Sequence, residues 1–244
     1  MSSRVCLTVD VEDFYDGMAV LGCDLARPTA GATGLEMLLE VFAQRPWAQL
    51  TLFVVGDYAP KVKGQLEALI KQGHEIASHG PDHGRLPDGD LVAWLAQGRE
   101  QLEDLLGVAV NGFRSPRFDV PAGGLRPYRA DLAQAGYRYV SDVATLGAQS
   151  PVAELPVLSR GRLRVGGGSY QRLLPGSTVE KAVERSLRPA VLYYHSYDFG
   201  AALPSLRSAR SVALVKQLAG RGRIASVFGE LVDRFGSSRC GDAC

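Results

Sequence analysis

Short, almost continuous apolar runs alternate along this chain with longer segments whose apolar positions recur every three or four residues. The short runs are rich in β-branched residues and predict buried strands, whereas the longer pattern predicts amphipathic helices. We predict seven strands, over residues 4–10, 50–56, 74–78, 108–113, 139–142, 190–194 and 224–227. We predict seven helices, over residues 33–44, 60–72, 88–106, 125–135, 177–186, 205–218 and 229–235.

Glycine and proline positions define the helix ends and two irregular regions. Gly73 and Gly107 are placed as helix C-caps, and Ser177 followed by Glu180 predicts an N-cap with a capping box. Residues 14–32 are predicted to form a loop. The segment 146–175 contains three consecutive glycines and is predicted to be an irregular excursion with a hairpin.

The alternation of strands and helices predicts an α/β fold, with a parallel sheet or closed barrel and the helices outside. A length of 244 residues is sufficient for one α/β barrel of ordinary size. We therefore predict a single domain over residues 1–236, followed by a flexible C-terminal tail at 237–244. Cys240 and Cys244 lie in that tail, where we favour reduced thiols over a zinc-binding pair.

Composition narrows the class of protein. The chain is 46% hydrophobic and 22% charged, with a net charge of +1, which is typical of a soluble globular protein. This balance argues against a nucleic-acid partner and against a polybasic membrane anchor. The apolar run at residues 5–9 is too short for a signal peptide or a transmembrane segment, so we expect a cytoplasmic protein.

Six ionisable residues lie at or just after the ends of predicted strands. The carboxyl ends of parallel strands carry the active site in α/β proteins, so we expect these side chains to meet at one rim. Charged groups in such a partly desolvated place need a partner or a metal. The six residues are Asp10, His79, His83, Arg114, Asp142 and His195.

His79 and His83 are four residues apart, and on a helical turn both imidazoles would lie on one face. They predict a divalent metal site with a carboxylate as its third ligand. Three protein ligands would leave coordination positions open for catalysis. Glu12 shares a face with Asp10 if the strand continues, whereas Asp13 comes round if the chain turns. The third ligand is therefore either Glu12 or Asp13. Arg114 is predicted to clamp a buried carboxylate.

These residues fall within five ordered segments. They are Thr-Val-Asp-Val-Glu-Asp at 8–13, His-Gly-Pro-Asp-His at 79–83, Arg-Ser-Pro-Arg-Phe at 114–118, Ser-Asp at 141–142 and Leu-Tyr-Tyr-His at 192–195. The set resembles, in the same order, the motifs of the NodB-type polysaccharide deacetylases of carbohydrate esterase family 4. The first motif and the stretch 166–175 resemble the branch found in bacterial exopolysaccharide and surface-glycan clusters. Gly80 departs from the pattern, because a serine or threonine commonly occupies that position.

The resemblance implies a distorted (β/α)7 barrel and metal-dependent removal of acetyl groups from an N-acetylated sugar or glycan. Zinc is the metal it implies first, with Co²⁺, Ni²⁺ or Mn²⁺ as substitutes. His79 and His83 would ligate the metal with Glu12 or Asp13. The other implied roles are general base for Asp10, general acid for His195, orientation of Asp10 by Arg114, support of the catalytic groups by Asp142 and an oxyanion contact from the Phe118 N–H. Tyr170 is a candidate for stacking on a sugar ring.

The function we expect is N-deacetylation in a bacterial surface-polysaccharide or lipopolysaccharide pathway. One alternative is an amidohydrolase of the same fold that acts on a cyclic imide or ureide, without a metal in some relatives. A second alternative is a non-catalytic, glycan-binding relative. It is disfavoured because the base, the acid and the histidine pair are all present.

Overall fold

A computed structural model describes residues 5–23, 25–26, 33–161, 163–200, 203–204 and 211–244. Seven strands in this part form one parallel sheet. They are β1 Val5–Val11, β2 Thr51–Val54, β3 Glu75–Ser78, β4 Gly112–Phe113, β5 Tyr139–Val140, β6 Ala153–Glu154 and β7 Ala190–His195. The strand order is β6-β5-β4-β3-β2-β1-β7, so β1 lies between β2 and β7.

The sheet curls into a barrel, and among the described residues isolated bridges rather than a continuous ladder close it. Val157, just after β6, pairs in parallel with Val191 of β7, and Gly167 pairs with Tyr193. Hydrogen bonds from Val157 to Asp142 and from Leu158 to Val191 accompany this closure. The predicted distorted (β/α)7 barrel is therefore confirmed, and its seam lies between β6 and β7.

The helices surround this sheet. Their bounds are α1 Phe14–Val20, α2 Leu35–Ala43, α3 Lys63–Lys71, α4 Leu91–Leu106, α5 Leu125–Gln134, α6 Gly168–Gln171, α7 Gly176–Glu184, α8 Val212–Leu218 and α9 Ile224–Phe235. Gly73 and Gly107 end α3 and α4 with φ of 89° and 68°, as predicted for C-caps. The predicted helix 205–218 is described only from 211 onward, and the part of the predicted loop at 27–32 lies outside the described residues.

Alternation along β1 determines which side chains reach the barrel interior. Val5, Leu7 and Val9 face the helices and join the large apolar cluster around α2 and α3. Cys6 points the other way, into a second cluster inside the barrel. Successive strand residues face opposite sides, so Asp10 faces the interior with Cys6, at the carboxyl end of the strand.

Two predicted elements at the ends of the chain are wrong. The loop predicted from residue 14 begins with α1, because the Asp13 side chain caps it by accepting from the Tyr15 and Asp16 amides. The strand predicted at 224–227 is the first turn of α9. Its buried residues recur at helical spacing, which a four-residue window cannot distinguish from a strand: Ile224, Val227, Phe228, Leu231 and Val232.

The excursion at 146–175 is more ordered than predicted. It contains β6 and α6, and its hairpin is reduced to one antiparallel bridge between Arg160 and Leu163. The capping box predicted for Ser177 is also wrong, because α7 begins at Gly176 and Pro175 occupies the N-cap without a side-chain bond.

The segment predicted as a flexible tail packs across the amino end of the barrel. The Ser238 amide donates to the Val5 carbonyl, and the Cys240 amide donates to Oγ1 of Thr51. Cys240 is fully buried in the same interior cluster as Cys6, whereas Cys244 is exposed. These contacts tie the segment to β1 and β2 rather than leaving it in solvent.

Candidate active site

The ends of β1, β3 and β7 meet at one mouth of the barrel. A cavity of about 390 Å³ lies there, within the size range of small-molecule sites. Six of the predicted site residues line it, one of them being Phe118. The other five are Asp10, Glu12, His79, His83 and His195.

Glu12, His79 and His83 form the metal-ligating set that the structure brings together. Their ligand atoms lie within 4.8 Å of one another. Among the described residues, this is the cluster of histidine and carboxylate side chains that is close enough to hold a metal ion. Oε2 of Glu12 is 2.6 Å from Nε2 of His83 and 3.4 Å from Nε2 of His79. One carboxylate and two imidazoles converging on one point suit Zn²⁺ and related divalent metals.

The two histidines do not lie on a helical turn as predicted. They flank a loop that follows β3, in which Gly80 takes a φ of 86°. Nδ1 of His79 is 2.9 Å from the Arg114 carbonyl oxygen. A carbonyl can only accept, so this contact places the proton on Nδ1 and leaves Nε2 as the ligand atom. This fixed tautomer is what a ligating histidine requires.

Asp13 is turned away from the histidines. Its carboxylate caps α1 and lies 3.8 Å from the Lys61 ammonium. Glu12 instead continues the inward face of β1 beyond Asp10. Of the two acids that the sequence left open, Glu12 is therefore the one placed beside the imidazoles.

The charges in this cluster are strongly coupled. Burial by itself would raise the pKa of the Glu12 carboxyl, but the neighbouring His83 and His79 outweigh it and hold that pKa well below its ordinary value. Burial opposes charge on His83 as well, yet Glu12 raises the His83 pKa. The carboxylate is thus ionised and ready to bind a cation.

Asp10 is held by a fully buried arginine. Oδ1 of Asp10 is 2.5 Å from an Arg114 nitrogen, and the rest of that guanidinium donates to the carbonyl and hydroxyl oxygens of Ser141 at 3.0 and 2.8 Å. The guanidinium also lies 4.0 Å from the Phe53 ring centroid. These contacts fix the Asp10 carboxylate at the rim, as predicted for Arg114.

Asp142 lies beneath the rim, at one remove from the cavity. It pairs with Arg129 at 3.0 Å and accepts from the Ser115 amide and hydroxyl. Burial raises the pKa of Asp142 despite the neighbouring Arg129. These contacts hold Ser115, which follows Arg114 in the chain, so any influence of Asp142 on the chemistry is indirect.

His195 has a partner that the sequence analysis missed. Oδ2 of Asp198 accepts from the His195 amide at 3.0 Å and lies 3.5 Å from Nδ1 of its ring. Asp198 in turn pairs at 2.9 Å with Arg172, and both are almost completely buried. The ring stacks on Tyr197 with centroids 4.7 Å apart. Asp198 follows His195 by three residues in His-Ser-Tyr-Asp, a spacing that the sequence shows plainly.

Burial disfavours a charged His195, but the neighbouring carboxylates of Asp198 and Glu12 outweigh it and raise the His195 pKa to about 8. Burial would raise the pKa of Asp198, but the neighbouring His195 and Arg172 hold that pKa below its ordinary value. A protonated imidazole near neutral pH can give up a proton to a leaving group.

Two predicted contacts differ from the structure. The Phe118 N–H donates to the Ser115 carbonyl at 3.0 Å, so it is directed away from a ligand in the cavity. This follows from a tight turn in which Arg117 and Phe118 both take positive φ, 61° and 58°. In the short helix α6, Ser169 lines the cavity, while the adjacent Tyr170 is partly exposed and is not among the described lining residues.

Family models match the two halves of the chain. A model described as polysaccharide deacetylase matches residues 26–140, and one described as a domain of unknown function (DUF3473) matches residues 130–244. No curated protein matches the sequence at a significant level. Among the described residues, no helix is long and apolar enough to cross a bilayer.

Solved structures share the fold at low sequence identity. A peptidoglycan N-acetylglucosamine deacetylase is 14% identical, with a TM-score of 0.56 over 98% of this chain and 86% of its own. A family 4 carbohydrate esterase from Streptomyces lividans is 17% identical, with a TM-score of 0.53 over 97% and 92%. A pseudoenzyme of the same family from Bacillus anthracis is 11% identical, with a TM-score of 0.54 over 98% of this chain but only 64% of its own length.

Proposed function

Because this chain belongs to the polysaccharide deacetylase family, we propose that it is a metal-dependent N-deacetylase acting on an N-acetylated sugar of a bacterial surface-polysaccharide or lipopolysaccharide pathway. One observation carries the activity. An arginine-held carboxylate, an aspartate-held imidazole and a Glu-His-His cluster face the same cavity. The pathway rests on the form of the first motif and of segment 166–175.

Hydrolysis of an acetamido group needs a proton acceptor for the attacking water and a proton donor for the leaving amine. Asp10 is the acceptor, because Arg114 holds its carboxylate at the rim. His195 is the donor, because Asp198 favours the protonated imidazole. The bond between the carbonyl carbon and nitrogen breaks, leaving acetate and a free amino sugar.

Glu12, His79 and His83 would hold the metal, and zinc suits their donor atoms best. When bound, it supplies Lewis-acid polarisation of the acetyl carbonyl. The Phe118 amide donates to the Ser115 carbonyl, so we leave it out of the proposed oxyanion contact. Glu12 also lies 3.9 Å from the His195 imidazole, which keeps the acid and the cation site adjacent.

The fold by itself does not decide activity, since its neighbours include a described pseudoenzyme and a mutant of it with restored activity. The decisive experiment is acetate release from a panel of N-acetylated nucleotide sugars, oligosaccharides and glycan precursors, with added zinc. We expect Asp10→Asn to lose activity by about 10²- to 10⁴-fold while keeping its metal. Asp104→Asn, an exposed replacement on α4, is the matched control and should retain full activity.

Two results would refute the proposal. An Asp10→Asn enzyme with wild-type turnover would remove the assigned base. Activity that survives prolonged chelation, on a cyclic imide or ureide but not on acetamido sugars, would favour the metal-independent amidohydrolase.

A further inference from the structure

Four arginines surround the catalytic cavity, and they divide into two pairs. Arg114 and Arg172 are fully buried, and each pairs with a buried aspartate, at 2.5 and 2.9 Å. Arg117 and Arg164 line the cavity itself. Within the described part of the chain, neither of these two is paired with a carboxylate.

The carboxylates in the cavity already have their own counter-charges. Asp10 is neutralised by Arg114, and Glu12 would be neutralised by the cation that it holds with the two imidazoles. Arg117 and Arg164 therefore leave the cavity with uncompensated positive charge, which a bound divalent cation would increase. Uncompensated charge in a partly desolvated site is costly unless a ligand supplies the opposite sign.

The surroundings of both guanidinium groups are consistent with an unfilled anion site. One terminal nitrogen of Arg117 is buried without a hydrogen-bond partner among the described residues. Arg117 is also one of the two non-glycine residues at positive φ in the described part of the chain, a conformation that costs about 1–2 kcal/mol and is retained mainly at functional sites. Arg164 lies 5.2 Å from the Phe118 ring centroid and beside the Tyr193 phenol, both of which are uncharged.

We propose that the substrate carries an oxyanion, a carboxylate or a phosphate, close to the acetamido group, and that Arg117 and Arg164 bind it. This inference rests on the proposed deacetylase function and deepens it. The cavity of about 390 Å³ contains both arginines and the catalytic residues. The anionic group therefore lies on the sugar that is deacetylated or on its immediate substituent, rather than several residues along a polymer.

The test compares three probes with the zinc-loaded enzyme. They share the acetamido sugar and differ in charge: methyl N-acetylglucosaminide, N-acetylglucosamine 1-phosphate and N-acetylmuramic acid. We expect kcat/KM to be at least about tenfold higher for an anionic probe, since hydrogen bonds to charged groups are the stronger ones. The phosphate and carboxylate probes identify which oxyanion is preferred.

Arg117→Gln and Arg164→Gln should each reduce that preference by about tenfold while changing the neutral probe by less than about threefold. Arg160→Gln is the matched control, because Arg160 is exposed on the same excursion as Arg164 and does not line this cavity. Added salt should weaken the preference in the wild-type enzyme.

Calorimetric binding of the same three probes to zinc-loaded Asp10→Asn separates this inference from the proposed function. Turnover of all three probes with equal kcat/KM would overturn the inference and leave the deacetylase intact. Anion-selective binding without turnover by the wild-type enzyme would support the inference and refute the deacetylase. Neither turnover nor selective binding would overturn both.

Discussion

Asp198→Asn is the substitution that distinguishes a general acid from a merely well-packed histidine. The change removes one negative charge and preserves the volume of a side chain that contacts the amide and ring of His195. Arg172 keeps its bonds to the Gln217 carbonyl at 2.6 Å and the Ser169 hydroxyl at 2.8 Å, so the buried guanidinium is not left without acceptors. We therefore expect a folded protein with an altered imidazole.

The size of the effect follows from that lost contact. The Asp198 carboxylate oxygen lies 3.5 Å from the ring nitrogen of His195 without a hydrogen bond to it, and an opposite charge at that range shifts a pKa by roughly one to two units. The pKa of His195 is raised to about 8, so its protonated form is present below that pH and is lost as the pH rises through it. In the variant the same loss occurs at lower pH, and amide hydrolysis near pH 8 should fall by about 10- to 100-fold.

The assay compares two leaving groups over the pH range on either side of that value. Release of acetate from an acetamido sugar needs a proton for the amine, whereas 4-nitrophenyl acetate releases a phenolate that needs none. We expect the ester activity of Asp198→Asn to change by less than about threefold. Asp233→Asn is the matched control, since Asp233 also pairs with an arginine but lies at the surface. Equal losses on both substrates, or an unshifted alkaline limb, would refute the assignment of His195 as the acid.

Three further predictions concern the metal, the base and the stability of the fold. Glu12→Gln should lose zinc, measured by elemental analysis, whereas Asp13→Asn should keep it because asparagine also caps α1; equal zinc in both proteins would contradict the ligand assignment. Arg114→Lys should lower kcat by about tenfold or more, because an ammonium cannot contact Asp10 and both Ser141 oxygens as the planar guanidinium does, with KM nearly unchanged. A change confined to KM would contradict this role. Burial lowers the pKa of His74 to about 4, below its ordinary 6.5. The free energy of unfolding should therefore fall by up to about 3 kcal/mol as the pH is lowered from 6.5 to about 4. Urea titrations of His74→Gln should show a smaller dependence of that free energy on pH.

Much of the barrel could be predicted because its strands are long apolar runs. β1 and β7 are buried along nearly their whole length, and that burial leaves a clear pattern in the sequence. β6 could not be predicted, since two residues that are only half-buried carry no periodicity. The start of α9 was misread for the opposite reason, because Ile224 and Val227 also fit a short strand.

Within the site, the side chains at strand ends and in the histidine loop after β3 could be predicted, whereas Asp198 and the choice of the acidic ligand could not. Asp10 and His195 end paired strands, and the register brings them opposite each other. The choice between Glu12 and Asp13 depended on where β1 stops and α1 starts, which is a matter of one residue. Asp198 was missed because a turn after a strand, rather than a motif position, places it beside the imidazole.

The irregular segment between β6 and α7 contributes both to the closure of the barrel and to the site. Its residues Val157 and Gly167 bridge to β7 and close the barrel. Arg172, from the same segment, holds Asp198 and thereby the proton donor, and Arg164 lines the cavity. Closure of the barrel and placement of the acid are therefore mechanically linked. A substitution that loosens this seam, such as Gly167→Val against the Tyr193 ring, should impair His195 before it impairs the metal set on β1 and β3. Zinc retention with loss of amide hydrolysis would be the signature of that linkage, and parallel loss of both would argue against it.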